Sequence, residues 1–441
     1  MTDQTRKHVV VVGGGFAGVA CARELAKHHD RIEVTLLDRN DYHQFQPLLY
    51  QVATSMLAPG DIAYSLRRIA ADFDALTAHR RDVVAVDPVA RSVTTASGET
   101  FVGDYVVLAA GSQPNFFGTP GAEHAFPLYS LDDAEKLRTR IIQAFEEADW
   151  DKERADDGAL TFVIVGGGPT GVEVAGALSE MIATTMLHEF PKLAPKAKVY
   201  LVNHGDALLA MFADKGHRYT AEVLTRDGVE LLMGLKVVEI GPGHVKLSDD
   251  RVIRTRAVIW GGGLMAAPVA GATGLPQGRG GRIDVQPDFT VAGFPGILAI
   301  GDFANIPDKD GKTHPQLGSV ALQSGGAAAK TILADIEGKR PNPFHYHDKG
   351  TMAMIGRGAA IAQVPPGVEL HGKLAFAAWL GVHAALMTGG SNRVNAFKSW
   401  ATDFFGKERA PQALDRSGEP RMQWEDDDVA AAAPASGGDA R

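Results

Sequence analysis

A short β-branched strand, a run of glycines and a helix of small residues occur twice in this chain, as VVVVGGGFAGVACAREL from residue 9 and as VIVGGGPTGVEVAG from residue 163. Each helix is followed by another apolar strand, IEVTLLD closing at Asp38 and KVYLVN closing at Asn203. Strand, glycine loop, helix and strand in that order make a βαβ unit, whose parallel strands need a covering helix on the sheet. Two such units predict an α/β chain built on two Rossmann-type sheets. Further strand-like runs are DVVAVD (82–87), YVVLAAG (105–111), RAVIWGGG (256–263) and GILAIGD (296–302), and LDDAEKLRTRIIQAFEEA (131–148) reads as an amphipathic helix with apolar residues at 137, 141, 142 and 145.

The glycine spacing carries chemistry. In Gly13-x-Gly15-x-x-Gly18 the first glycine permits a tight turn, the second lets backbone approach a pyrophosphate, and the third lets helix and strand pack closely. The helix that follows offers free N–H groups and a positive dipole end to phosphates, and Asp38 would accept hydrogen bonds from ribose hydroxyls. Gly166-x-Gly168-x-x-Gly171 repeats the pattern, with Pro169 at the helix start, where its missing N–H costs little. Two cradles imply two dinucleotides. Asp302 ends GILAIGD at the kind of strand end where two-dinucleotide flavoproteins hold the ribityl and phosphate of a flavin, which gives FAD to the first cradle and NADH or NADPH to the second.

Composition narrows the partners. A net charge of −9 leaves no basic surplus to neutralise phosphates and excludes nucleic acid as the main partner. The one cysteine, Cys21, excludes a disulfide framework, a CxxC redox pair and a thiolate metal site. The first strand begins too early for a secretory signal to precede it, so the protein is expected to stay on the side where it is made. The longest apolar stretch, LAFAAWLGVHAALM (374–387), is shorter than the roughly 20 residues that cross a bilayer.

Several segments resemble the type II NADH dehydrogenases, single-chain flavoproteins that reduce membrane quinones without pumping protons. These are NDYHQFQPLLYQVATSMLAPGDIA (40–63), LAAGSQPNFFGTPGAEHAFPLYSLDDA (108–134), the second cradle with its Glu-Val-Ala-Gly continuation, and VIWGGGLMAAP. The resemblance covers the chain to about residue 410 and implies an FAD domain (1–118 and 280–345) interrupted by a nicotinamide domain (119–279). A membrane-associating part (346–410), with a small hairpin and two helices, and a disordered tail (411–441) would follow. It extends the FAD contacts to Gly14, Phe16, Ala17, Arg39, Leu48, Val83, Ala110 and Gly111, and those of the nicotinamide coenzyme to Thr170 and Gly263. It places Glu173 near both reacting rings, where a carboxyl group is apt because quinone reduction consumes two protons; a carboxylate favoured by a helix N-terminus is the plainer account of the same residue. Peripheral attachment at the cytoplasmic face of the membrane through residues 371–409 is implied too, with Val394, Phe397, Trp400, Phe404 and Phe405 as an apolar stripe among Arg393, Lys398, Lys407 and Arg409. Relatives often form homodimers, for which this sequence carries no signal of its own.

Two positions depart from that pattern. The family commonly has Ala-Gln-x-x-x-Gln near the quinone headgroup; here Gly318 and Ser319 replace Ala-Gln, and Gln323 is kept. Asn203 stands where NADH-specific members carry an acid that pairs with the adenosine ribose and repels the extra phosphate of NADPH. Three rival readings are a sulfide:quinone oxidoreductase, which needs sulfur-carrying cysteines, a soluble reductase of a small redox protein, and a flavin-based sensor. With Asn203 in place of the acid, kcat/KM for NADH over NADPH is expected to stay below about a thousand, checked by steady-state kinetics with both coenzymes.

Overall fold

The computed structural model describes residues 6–405 apart from 152 and 154. The chain divides into two compact units, Met1–Phe45, Ala63–Asn115 and Leu264–Lys349 in the first, and Gln46–Ile62, Phe116–Gly263 and Gly350–Arg441 in the second. Apart from shifts of a few residues at 116–118 and 346–349, these bounds differ from the sequence reading in three places. The short helix Leu49–Ala53 joins the second unit because it packs on helices Leu131–Trp150 and Pro169–Met181. Residues 264–279 return to the first because Leu264–Ala266 pairs antiparallel with Ser112–Pro114. The part from 350 onward is not a separate segment, since strand Thr351–Gly356 packs on helix Pro169–Met181. The tail from residue 411 lies outside the described residues.

The first unit is wound on a six-stranded sheet in the order Thr290–Val291, Phe294–Ala299, Tyr105–Leu108, Lys7–Val12, Ile32–Asp38, Leu76–Arg80. All neighbours are parallel except the first pair. From Lys7–Val12 the chain first builds to one side and later returns to the other, so the first glycine loop stands at a switch point, where open α/β sheets bind ligands. Val9, Val10 and Val11 are fully buried, in one core cluster with residues of helices Phe16–Ala26 and Gly318–Ile336 and of strand Val83–Asp87. The cradle helix Phe16–Ala26 packs against Gly318–Ile336. DVVAVD becomes Val83–Asp87, in a separate three-stranded antiparallel sheet.

The second unit repeats the scheme in five parallel strands, Phe126–Pro127, Ala257–Trp260, Thr161–Val165, Lys198–Asn203, Val229–Met233. Its cradle strand has its βαβ partner on one side and a late strand on the other, so the second loop is also at a switch point. Helix Leu131–Trp150 starts with a capping box of Ser130 and Asp133 and buries Leu137, Ile141, Ile142 and Phe145. The expected hairpin is a three-stranded antiparallel sheet, Thr351–Gly356, Ala359–Val364 and Val368–His371, and it leads into helices Gly372–Leu386 and Gly390–Phe405. No helix among the described residues is long and apolar enough to cross a membrane.

The contact between the second cradle helix and the late sheet is so close that a Cβ on Gly176 would lie 1.7 Å from the Ile355 carbonyl oxygen. Gly176→Ala is therefore expected to cost about 1–3 kcal/mol by overpacking, read as a lowered midpoint of thermal unfolding.

Candidate functional site

The two glycine loops are shaped alike. Gly13 and Gly166 adopt φ of +109° and +110°, which an L side chain rarely takes, and each donates its N–H to the strand at its side, Gly13 to Leu37 at 2.7 Å and Gly166 to Val202 at 2.8 Å. A Cβ on Gly18 or Gly171 would lie 1.8 Å from the carbonyl oxygen of Gly13 or Gly166, whereas one on Gly15 or Gly168 would meet nothing within 4 Å. The middle glycine thus faces open space at the helix N-terminus, and both cradles fit a dinucleotide pyrophosphate. Pro169 and Thr170 open the second cradle helix.

The residue closing the second strand braces each loop. Asp38 accepts the Gly14 N–H and, at 2.7 Å, the Asn40 N–H; burial raises its pKa and these donors oppose the rise. Lone pairs remain on the carboxylate for ribose hydroxyls. Asn203 is more heavily committed. Its Oδ1 accepts the Gly167 N–H at 3.0 Å, and its Nδ2 donates to the carbonyls of Gly205 and Ala207 at 3.0 and 3.1 Å. Both amide protons are therefore used within the loop.

Around the first cradle, Phe16 packs edge-on against His43 and Phe45, and Ala17 lies under Gly301. Ala110 and Gly111 follow strand Tyr105–Leu108, Gly111 at φ +71°, and the Arg39 carbonyl accepts from Arg80. Asp302 accepts from the Ser112 hydroxyl at 3.2 Å; burial pushes its carboxyl up to about 6, with Ser112 and Arg282 pulling the other way. Val83 begins its antiparallel strand, and Leu48 is fully buried in the second unit's turn Gln46–Leu48. Cys21 is fully buried and its thiol is pushed up to about 12, which makes it inert packing in the cradle helix.

Sequence reading missed His43, whose Nδ1 pairs with the Gly14 carbonyl at 2.9 Å and whose pKa burial lowers, so the neutral ring donates there. The NDYHQFQP segment carried that signal. Ser319 and Gln323 are also engaged: the Ser319 and Tyr346 hydroxyls are 2.8 Å apart, and Gln323 both donates to and accepts from the His347 backbone at 3.0 Å. Gly318 begins their helix, with a Cβ position 3.6 Å from the Phe16 ring.

In the second unit Glu173 lies one turn into the cradle helix, and Gly263 takes φ +58° beside the Phe117 ring. The Glu173 Oε1 accepts the Met354 N–H at 3.2 Å. The residue keeps partial contact with solvent, yet its carboxyl is enclosed by protein, and that burial pushes it up to about 8 against the pull of Met354 and the Trp379 indole. The C-terminal stripe is divided. Val394 and Phe397 are 60% and 51% exposed, but Trp400 is 7% exposed and donates to Gln51 at 2.8 Å, so it faces the protein and not a lipid surface. Arg393 donates to the carbonyls of Met387 and Ala385, near the end of the preceding helix, and so acts as a cap. The side chains of Phe404 and Phe405, and Lys407 and Arg409, lie outside the described residues.

The sequence profile of the pyridine nucleotide-disulphide oxidoreductases matches residues 7–325, and the chain belongs to that family of oxidoreductases. Within it the chain falls among the type II NADH:quinone oxidoreductases, being 34% identical over 428 residues to NdhA of Mycobacterium tuberculosis, across 93% of this chain and 89% of that protein. NDH2 from Plasmodium falciparum, solved in complex with NADH, shares the fold with a TM-score of 0.85 at 18% identity, over 92% of this chain and all of that one. The sulfide:quinone oxidoreductase of Aquifex aeolicus shares it at a TM-score of 0.69 and 19% identity, over 94% of this chain and 99% of that one.

A carboxyl whose pKa is raised from 4.5 to about 8 in the fold disfavours folding increasingly as pH climbs through that interval. Relative to the native protein, Glu173→Gln is therefore expected to gain stability between about pH 4.5 and 8 and to level off above, measured as the difference in unfolding temperature against pH.

Proposed function

We propose that this chain is an FAD enzyme that oxidises NADH and delivers two electrons to a membrane quinone without pumping protons. The observation that carries the reading is the duplicated cradle, each copy at a switch point with its middle glycine open to a phosphate. In the first, the N–H groups of Gly15 to Gly18 would take the FAD pyrophosphate, with Gly13 and Gly14 shaping the turn, Asp38 would hold the ribose, and Asp302 with Ala110 and Gly111 the ribityl side; Arg39, Val83 and Leu48 are added by resemblance. In the second, Gly166, Gly168, Pro169, Thr170, Gly171 and Gly263 hold the nicotinamide coenzyme, with Asn203 shaping the loop that selects it. Bound FAD supplies the two-electron chemistry, accepting hydride from NADH and reducing the acceptor.

The chain's own contribution is position and protons. At about 8, Glu173 keeps its proton near neutral pH and is poised to give it to a quinone oxygen. Ser319 and Tyr346 share one hydrogen bond between two hydroxyls, so one O–H remains for a carbonyl acceptor, in place of the glutamine of the family pattern. Gln323, clamped to His347, holds that side chain pair's surroundings in place. Leu374, Val382, Leu386, Val394 and Phe397 are exposed on the last two helices beside Lys373 and Lys398, which suits peripheral attachment to the cytoplasmic face of a membrane.

The test is to record flavin bleaching by NADH and its recovery on adding quinone. Glu173→Gln is expected to slow quinone turnover by about a hundredfold while leaving bleaching by NADH nearly unchanged. A colourless protein that takes up no flavin sinks the whole reading. Failure to reduce any quinone, with reduction of a small redox protein instead, favours the soluble-reductase alternative.

A further inference from the structure

The surroundings of Glu173 hold a feature that proton delivery alone does not account for. Trp379 is fully buried, and its indole N–H meets no acceptor in full hydrogen-bond geometry, yet it lies close enough to the Glu173 carboxyl to hold that group's pKa down. A buried indole N–H without a partner costs free energy, and this carboxylate is the group that can satisfy it. The ring is fixed on several sides. It stacks on the His383 imidazole with centroids 3.9 Å apart, and meets Tyr50 and Trp400 edge-on at 6.5 and 6.0 Å.

A chain of buried hydrogen bonds braces the other donor. Trp400 Nε1 donates to Gln51 at 2.8 Å, Gln51 donates to the Tyr50 hydroxyl at 3.0 Å, and Tyr50 donates to the Met354 sulfur at 3.3 Å. Met354 in turn gives its N–H to Glu173. The two helices at the chain's end thus reach the acid by two routes, through Trp379 directly and through Trp400 by way of Met354.

We propose that Trp379 is the positioning residue for Glu173: its indole N–H is the carboxylate's second donor beside Met354 and holds the acid in one orientation. This rests on reading Glu173 as the proton donor. The other titratable groups nearby leave the assignment intact. Tyr50 is held neutral by burial, His383 is pushed down to about 4 by burial and is neutral near pH 7, and Glu180 lies two turns along Glu173's own helix, where it acts on Tyr50. Strand Thr351–Gly356 presents Met354; helix Asp214–Arg226 and the parallel strands beside the cradle helix add no charge that acts on Glu173, for which burial, Met354 and Trp379 are the causes at work.

The experiment uses the flavin-loaded protein labelled with 15N at its five tryptophan indoles. One indole N–H resonance is expected to titrate near pH 8 in the native protein, to stop titrating in Glu173→Gln, and to be missing from Trp379→Phe. In Trp379→Phe the alkaline limb of quinone turnover should move up by about one pH unit, because the lost donor favoured the charged form. No titrating indole, or one that still titrates in Glu173→Gln, overturns the proposal even if Trp379→Phe fails to fold. An unmoved alkaline limb in a folded Trp379→Phe overturns it as well. Quinone turnover indifferent to Glu173→Gln, with the indole titration intact, supports the pairing and overturns the proton-delivery reading, so the two failures are told apart.

Discussion

Each glycine loop depends on what receives the N–H of the residue between its first two motif glycines, Gly14 or Gly167. That group sits past the end of the strand ladder and before the first helical turn, so neither regular element can satisfy it. Asp38 does so for Gly14 and Asn203 for Gly167, each from the end of the neighbouring strand. With the loop held there, the third glycine packs on the first, the helix begins, and its first N–H groups are left free to face a phosphate. The sheets, the switch points and the covering helices serve to bring that one strand-end side chain to that one N–H, twice.

Much of this was legible in the sequence because it is local. The strands Lys7–Val12, Ile32–Asp38, Thr161–Val165 and Lys198–Asn203 announce themselves by β-branched runs, and the glycines and terminal polar residues by spacing. The site's other half is assembled from residues far apart in the chain, and no period or spacing encodes it. Tyr50, Glu173, Met354 and Trp379 come from four elements, and Trp400 reaches Gln51 across more than three hundred residues of sequence. Helical spacing in the last helix placed Trp400 with Val394 and Phe397, yet its indole N–H needed a buried acceptor and turned it inward. The bounds of the two units were hidden for the same reason, since Leu49–Ala53 and Thr351–Gly356 take their place by packing against helices distant in sequence.

The acids show how environment divides the work among like side chains. Asp38 is buried but receives two backbone N–H groups, and it keeps a brace in place. Asp302 is buried with one hydroxyl and one arginine near it, and its carboxyl rises to about 6. Glu173 has burial with a single backbone donor and an indole, and its carboxyl rises to about 8. Where burial outweighs the donors that oppose it, as at Glu173, a carboxylate becomes able to exchange a proton near neutral pH.

The three bonds of Asn203 join two properties usually discussed apart. An aspartate there could still receive the Gly167 N–H but would turn oxygens toward the carbonyls of Gly205 and Ala207, which now receive protons. If residue 203 selects the coenzyme as proposed, placing an acid there for strict use of NADH would thus loosen the loop it is meant to refine. On the proposed function, fidelity to a reductant and rigidity of its berth would be joined in one side chain, so that changing one would require rebuilding the other.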